Sequence, residues 1–259
     1  MRHDWIVPDW PAPASVHAVC TTRQGGLSLP PYDSLNLGDH VGDDAAAVQR
    51  NRGELKAAIA VRPVFLQQVH GSSVAQLRAD SPDGTHADGC VVTQRGLACT
   101  IMVADCLPVL LADAGGMAVA AAHAGWRGLA GTGGIGVIEN VVHALWKALP
   151  STPTAAAGNT IAWLGPCIGP QAFEVGDEVR QTFVADHPEC SALFRPHAPG
   201  KWLADLQGLA RLRLSALGIT QVYGNDGSPG WCSAGNPSRF FSHRRDRVSG
   251  RFAACVWLG

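Results

Sequence analysis

A chain of 259 residues fits one large domain or two small ones, and 46% hydrophobic against 16% charged residues supplies a core without a disorder signature. A formal net charge of -1 gives no field that would gather nucleic acid or an anionic membrane, so any grip on an anion must be local. Asp105 and Asp113 interrupt the most hydrophobic stretch, which excludes a spanning helix.

The opening Met1-Arg2-His3-Asp4-Trp5-Ile6-Val7-Pro8 has no apolar run behind its basic residue, so a cytoplasmic protein is expected. A strand over 16–21 leads into a long polar loop that carries Arg23 and Asn36, either of which can reach a ligand. Its glycines, Asp33 and Ser34 equally fit ordinary turns. Helical periodicity covers 44–60, with Asp43 or Asp44 as N-cap. A strand over 64–69 runs into His70-Gly71, and further strands are expected over 89–93, 99–104, 109–112 and 117–123. Several are continuously apolar, as strands buried on both faces tend to be.

His123 opens a glycine-rich stretch, His-Ala-Gly-Trp-Arg-Gly-Leu-Ala-Gly-Thr-Gly-Gly-Ile-Gly, before a helix over 135–149 with Ile135, Ile138, Val141, Val142 and Leu145 on one face. Backbone N–H groups and Arg127 there suit an anion, although no P-loop or dinucleotide motif is present. A flexible turn with a solvated arginine fits as well, and the sequence leaves both readings open. Residues 149–159 read as a loop, 161–165 as a strand, 175–185 as a helix, and 195–201 as a loop. A helix over 203–217 and strands over 221–223 and 252–258 complete the chain, with 239–246 as an exposed hairpin between them. Strands and helices interleave without a regular βαβ repeat, which predicts an α/β fold with a mixed sheet and helices outside.

Three candidate ligands sit at strand ends, where functional groups gather: His70, Cys106 in Ala104-Asp105-Cys106-Leu107-Pro108, and His123. Two imidazoles and a thiolate bind zinc strongly, and three protein ligands leave a fourth position open. The gaps of 36 and 17 residues impose no local metal motif, so spacing alone reads Cys106 as a buried thiol and His70 as a core histidine. Eight dispersed cysteines without a CxxC pair are expected to be reduced and mostly buried, Cys167 among them. The excess of arginine over lysine, 17 to 3, suits bidentate anion contacts and suits codon bias equally.

In combination, TTRQGGLSLPPYDSLNLGDHVGDD, FLQQVHG, ADG, ADCLPVLL, AAHAGWRGL, GPCIGP and FFSHRRD…SGR resemble the bacterial laccase-domain family. This is the YfiH-like or multicopper polyphenol oxidoreductase family, whose members are described as zinc-dependent purine nucleoside phosphorylases. The pieces run from about Thr21 to Arg251. The resemblance implies one domain over 1–259 with layered mixed β-sheets flanked by helices, similar to the toxin-deamidase fold. It also implies that His70, Cys106 and His123 hold zinc.

The implied activities are phosphorolysis of adenosine, inosine, guanosine and methylthioadenosine, with adenosine deamination. Asp105 is the candidate acid–base group, and Arg23, Asn36 and Arg127 are the candidates for phosphate and substrate. The expected partners are a nucleoside and phosphate, with neither nucleic acid nor membrane, and a monomer is expected. The alternatives are a hydrolase that edits peptidoglycan precursors and a weak copper-dependent polyphenol oxidase. Laccase chemistry needs a histidine-rich copper cluster, and ten histidines without a His-x-His pair do not furnish one, so copper is possible but not expected. The segment after GPCIGP departs from the family pattern, reading Gln171-Ala172-Phe173-Glu174-Val175 in place of a cysteine pair.

Overall fold

The computed structural model describes residues 4–150 and 152–259. Fourteen strands and seven α-helices appear among the described residues. The first half contains β1 (Val16–Cys20), α1 (Ala45–Ile59), β2 (Arg62–Gln67), β3 (Val74–Gln76), β4 (Thr85–His86), β5 (Gly89–Val92), β6 (Leu97–Val103), β7 (Leu107–Asp113) and β8 (Val119–Ala124). The second half contains α2 (Trp126–Ala130), α3 (Val137–Lys147), α4 (Pro153–Gly158), β9 (Thr160–Leu164), β10 (Glu174–Gly176), α5 (Asp177–Asp186), β11 (Phe194–Ala198), β12 (Lys201–Ala204), α6 (Leu206–Ala216), β13 (Gln221–Gly224), α7 (His243–Asp246) and β14 (Phe252–Leu258).

The strands form a five-stranded sheet in the order β1-β14-β6-β2-β4, a six-stranded sheet in the order β13-β9-β7-β8-β5-β3, and a small sheet β10-β12-β11. Both large sheets mix parallel and antiparallel pairs: β2 lies parallel to β6, and β7 lies antiparallel to β8 and β9. They stack face to face over a core that includes Ile101, Leu110, Val119, Trp163 and Phe252. Every residue of β6, β7 and β8 is buried, as their unbroken apolar runs predict. The helix α3 covers the outer face of the six-stranded sheet with Ile138, Val141, Val142 and Leu145. Leu55 and Ile59 of α1 pack with Phe65 and Met102 on the other large sheet. The result is a layered α/β fold with helices outside.

Element boundaries move where a local cap or turn overrides periodicity. The Asp44 side chain accepts the Ala47 N–H, so α1 starts where its cap predicts. Ile135 lies 54% exposed ahead of α3, which begins after Gly136 donates its N–H to Glu139. The expected loop over 149–159 contains α4, since Pro153 suits a first helical turn and three alanines follow it. The expected loop over 195–201 is instead a hairpin of β11 and β12 that turns at Gly200, with φ +68°. Pro196 is tolerated there because β11 is an edge strand. Residues 175 and 176 of the expected helix over 175–185 belong instead to β10, which pairs with β12, and α5 follows from Asp177. Residues 240–242 are buried rather than an exposed hairpin, and Ser242 caps α7 by accepting the Arg245 N–H.

Candidate metal centre and its cavity

Two chain turns and the end of a strand bring His70, Cys106 and His123 together. Beyond β2, the Gln68 amide extends the sheet ladder, donating to the Met102 carbonyl and accepting the Met102 N–H, each at 2.8 Å. That contact delivers the chain to His70. Cys106 ends the short passage 104–106 by which the chain leaves β6 in one sheet for β7 in the other. His123 belongs to β8, beside β7, and pairs with Pro108. One nitrogen of each histidine and the Cys106 Sγ all lie within 4.8 Å of one another. The imidazole rings meet edge to face, with centroids 4.7 Å apart.

His70 and Asp105 adopt φ of +61° and +93°, conformations unfavourable for residues with a Cβ. Both are held by specific bonds. The buried Asp88 carboxylate accepts the N–H groups of Val69, His70 and Gly71 at 3.2, 2.8 and 2.7 Å. It also faces the His123 Nδ1 at 2.8 Å, which turns the other ring nitrogen toward the cluster. The Asp105 carboxylate accepts the Ser233 hydroxyl at 2.6 Å and the Arg244 N–H at 2.7 Å. Gly125 is required by close approach, since a Cβ there would lie 2.9 Å from the His70 ring and 3.0 Å from the Cys106 Sγ.

The electrostatics of the cluster favour a thiolate. Burial alone would push the Cys106 thiol up, but the His123 charge and hydrogen bonds from both histidines outweigh it and draw the pKa down to about 6. Burial opposes a charged His123, yet Cys106 and Asp88 lift it to about 9. Burial would likewise raise Asp88, and His123 together with the Gly71 and Val69 amides holds it below the usual carboxylate range. The donor set is therefore two imidazoles and a thiolate with an orienting carboxylate behind them, a fit for zinc. Among the described residues it is the one group of three or more His, Cys, Asp or Glu side chains that could share an ion, so a multinuclear copper cluster has no donor set there.

The cluster opens into a cavity of about 420 Å³. Met102, Trp126, Ile168, Phe173 and Leu206 give it apolar walls, and Arg127, Arg244, Arg247 and Arg251 give it positive charge. His40, His243 and Asp105 are the further titratable groups in its lining. Arg127 is exposed, its guanidinium 4.4 Å over the Trp126 ring. Arg244 donates to the Glu174 carbonyl at 3.0 Å and Arg251 to the Ser249 and Gly250 carbonyls at 2.8 and 3.0 Å. The Arg247 side chain makes no hydrogen bond or ion pair among the described residues; its backbone N–H donates to the His243 carbonyl at 2.9 Å.

The sequence candidates divide between the cavity and the scaffold. Asp105 and Arg127 line the cavity, but both Asp105 oxygens are engaged by protein donors. Arg23 lies outside it, bonded to the Asp33 and Pro237 carbonyls and paired with the Asp33 carboxylate at 3.1 Å. Asn36 is fully buried; its Oδ1 accepts the Gly38 and Arg251 N–H groups, and its amide donates to Asp43. Beyond His123, the glycine-rich stretch lines the cavity through Trp126 and Arg127. The Gly134 carbonyl accepts from Arg213 instead, tying that turn to α6. Cys167 is a packed thiol, pushed well up by burial. Sequence reasoning missed Asp88, His40, Arg244, Arg247 and Arg251. All but Arg247 lie inside the motifs ADG, LNLGDH, FFSHRRD and SGR, where Asn36 alone stood out as a ligand candidate.

Residues 17–259 match the family model described as multi-copper polyphenol oxidoreductase laccase. A purine nucleoside phosphorylase of Pseudomonas aeruginosa is 50% identical over 255 residues, covering 98% of both chains. The Escherichia coli purine nucleoside phosphorylase YfiH is 46% identical with the same coverage. Among solved structures, a Neisseria meningitidis protein superposes with a TM-score of 0.87 at 43% identity, over 98% of this chain and 99% of that one. YlmD from Geobacillus stearothermophilus gives 0.87 at 30% identity, over 99% and 96%. The chain belongs to this laccase-like family.

Proposed function

From that membership, we propose that the chain is a zinc-dependent purine nucleoside phosphorylase that acts on adenosine, inosine, guanosine and methylthioadenosine and also deaminates adenosine. The relatives named above support the phosphorylase reading. The observation that carries it is the three-ligand cluster opening onto a cavity with apolar walls and four arginines. His70, Cys106 and His123 would hold the zinc, with Asp88 orienting the histidines. When bound, the ion would supply the Lewis acidity that activates water or polarises a substrate.

The protein's own groups then divide the substrate between them. Trp126 and Phe173 offer aromatic surface to a purine. Arg127 and Arg247 bring charged heads to phosphate, while Arg244 and Arg251 are anchored by backbone carbonyls and form fixed positive walls. Holding phosphate against the ribose supplies the orientation that a displacement at C1′ requires. Arg23 and Asn36 support the cavity from outside, and Asp105 clasps α7 to the turn that carries Cys106. The cluster and the cavity come from one chain, so a monomer suffices. No helix among the described residues is long and apolar enough to cross a membrane, and eight free cysteines suit the cytoplasm.

The test is incubation of zinc-loaded protein with adenosine or inosine, with and without phosphate, followed by chromatography. Phosphate-dependent release of adenine or hypoxanthine, absent from His70→Ala and Cys106→Ala proteins, is the expected result. Inosine formed from adenosine without phosphate supports the deaminase. A zinc-loaded protein silent on every nucleoside rejects the reading and favours the peptidoglycan-precursor hydrolase.

A further inference from the structure

Phosphorolysis of a nucleoside moves one proton. Hydrogen phosphate loses its proton on becoming an ester, and the departing purine gains one. A cavity group able to accept and return a proton would carry that transfer, and the metal cluster leaves few candidates. Arginine does not release protons in proteins. Both Asp105 oxygens already accept bonds from Ser233 and Arg244. That leaves His40 and His243 in the described lining.

The two histidines differ in what stands behind them. His243 begins α7 and has no carboxylate partner among the described residues. His40 presents its Nδ1 to the Asp39 carboxylate at 3.5 Å. Asp39 is paired in turn with Arg52 at 3.2 Å. Arg52 is itself immobilised, its Nε donating to the Leu37 carbonyl at 2.9 Å and its guanidinium lying 4.0 Å over the Phe65 ring. An Asp39 that draws on Nδ1 favours the tautomer with its proton there, leaving the Nε2 lone pair as the basic site. The loop is fixed from below as well. Asn36 donates to the Gly38 carbonyl and to Asp43, and its Oδ1 accepts the Arg251 N–H. One buried amide thus sets the position of the His40 loop relative to the arginine wall.

We propose that His40 is the proton-relay residue of the phosphorolysis inferred above, oriented by Asp39; the assignment rests on that reading of the site. In the step, a phosphate oxygen forms a bond to C1′ while its proton passes to His40 Nε2. The C1′–N9 bond breaks and its electron pair leaves with the purine. The His40 imidazolium returns the proton to the purine, giving free base and ribose 1-phosphate with the histidine neutral again. Partial burial, then the nearby positive charge of Arg251 and Arg52, holds the His40 pKa below its ordinary value despite Asp39, which suits a resting base.

The experiment compares wild type with His40→Asn, His40→Gly and His243→Asn, each verified for zinc content and thermal unfolding, with inosine and phosphate as substrates. Loss of a positioned acid–base group costs on the order of 10²–10⁴-fold. The expected result is a drop of that size in kcat for both His40 variants, with zinc content and the KM for phosphate retained. Added imidazole restores turnover to His40→Gly, which a merely structural role would not allow, since the side chain is 55% exposed and its place open to solvent. Unchanged kcat in His40→Asn, or a large loss confined to His243→Asn, overturns the assignment and leaves the phosphorylase reading standing. A wild type that releases no base overturns both.

Discussion

Asp88 and His123 are joined twice. The His123 Nδ1 lies 2.8 Å from the Asp88 carboxylate, and the His123 N–H donates to the Asp88 carbonyl at 2.7 Å. The same carboxylate collects the amides of Val69, His70 and Gly71. A single buried acid therefore orients one candidate ligand and fixes the backbone of another.

Asp88→Asn keeps the shape but loses the charge and offers an amide where backbone donors point. Orienting partners of this kind are worth roughly 10–100-fold in metal affinity. Competition with a fluorescent zinc chelator is expected to show a loss in that range, and an unchanged affinity removes Asp88 from the site's assembly. Asp88→Ala, which leaves the Val69, His70 and Gly71 N–H groups without their acceptor, should also lower the thermal midpoint.

Gly125→Ala places a Cβ where the His70 ring and Cys106 Sγ already stand. The expected protein folds with its far-ultraviolet spectrum intact and binds less than one zinc per chain. Full zinc occupancy in that variant would mean that the cluster tolerates an added methyl group, contrary to the close approach seen.

Arg127 and Arg23 are a discriminating pair. Arg127→Ala removes an exposed cation from the cavity and should raise the KM for phosphate with little change in stability. Arg23→Ala breaks charge-assisted bonds to Asp33 and Pro237, at a cost of about 1–3 kcal/mol. Thermal unfolding beside phosphate titration separates the two, and a reversed pattern would return Arg23 to the anion site.

Chelated protein should expose a reactive Cys106. With its pKa near 6, the thiolate fraction rises as pH increases through about 6, well before an ordinary thiol ionises. Iodoacetamide labelling of that cysteine is therefore expected to reach half its maximal rate near pH 6 and to be blocked by zinc. Cys20, Cys99 and Cys167 are buried and pushed well above the usual thiol range, and Cys255 is raised to about 12, so they should stay unlabelled in folded protein. Peptide mapping of the alkylated chain reads the outcome, and a midpoint near 9 contradicts the thiolate.

Much of the layered fold was legible in short runs of residues. The apolar stretches around 99–104, 109–112 and 117–123 read as strands sealed on both faces, and the spacing of Ile138, Val141, Val142 and Leu145 marked α3. Where the reading slipped, a local device had outcompeted the pattern: the Gly200 turn made a hairpin of the loop over 195–201, and Asp205 delayed the start of α6 by accepting the Gly208 N–H. The donor residues stood out by type and by their places at strand ends. Their spacing carried no message, and only the assembled family motifs linked them.

Sequence alone therefore determined which residues could bind a metal or an anion, because ionisation, donor atoms and hydrophobic runs are properties of single residues and short segments. The tertiary structure decided which of them face one another. Cys106 meets His70 and His123 because β6 and β7 belong to different stacked sheets and the chain must cross between them at that point. Arg23 and Asn36 went to the scaffold and Arg244, Arg247 and Arg251 to the cavity for the same reason: contacts between residues tens or hundreds of positions apart depend on how whole sheets pack, and no local pattern encodes that.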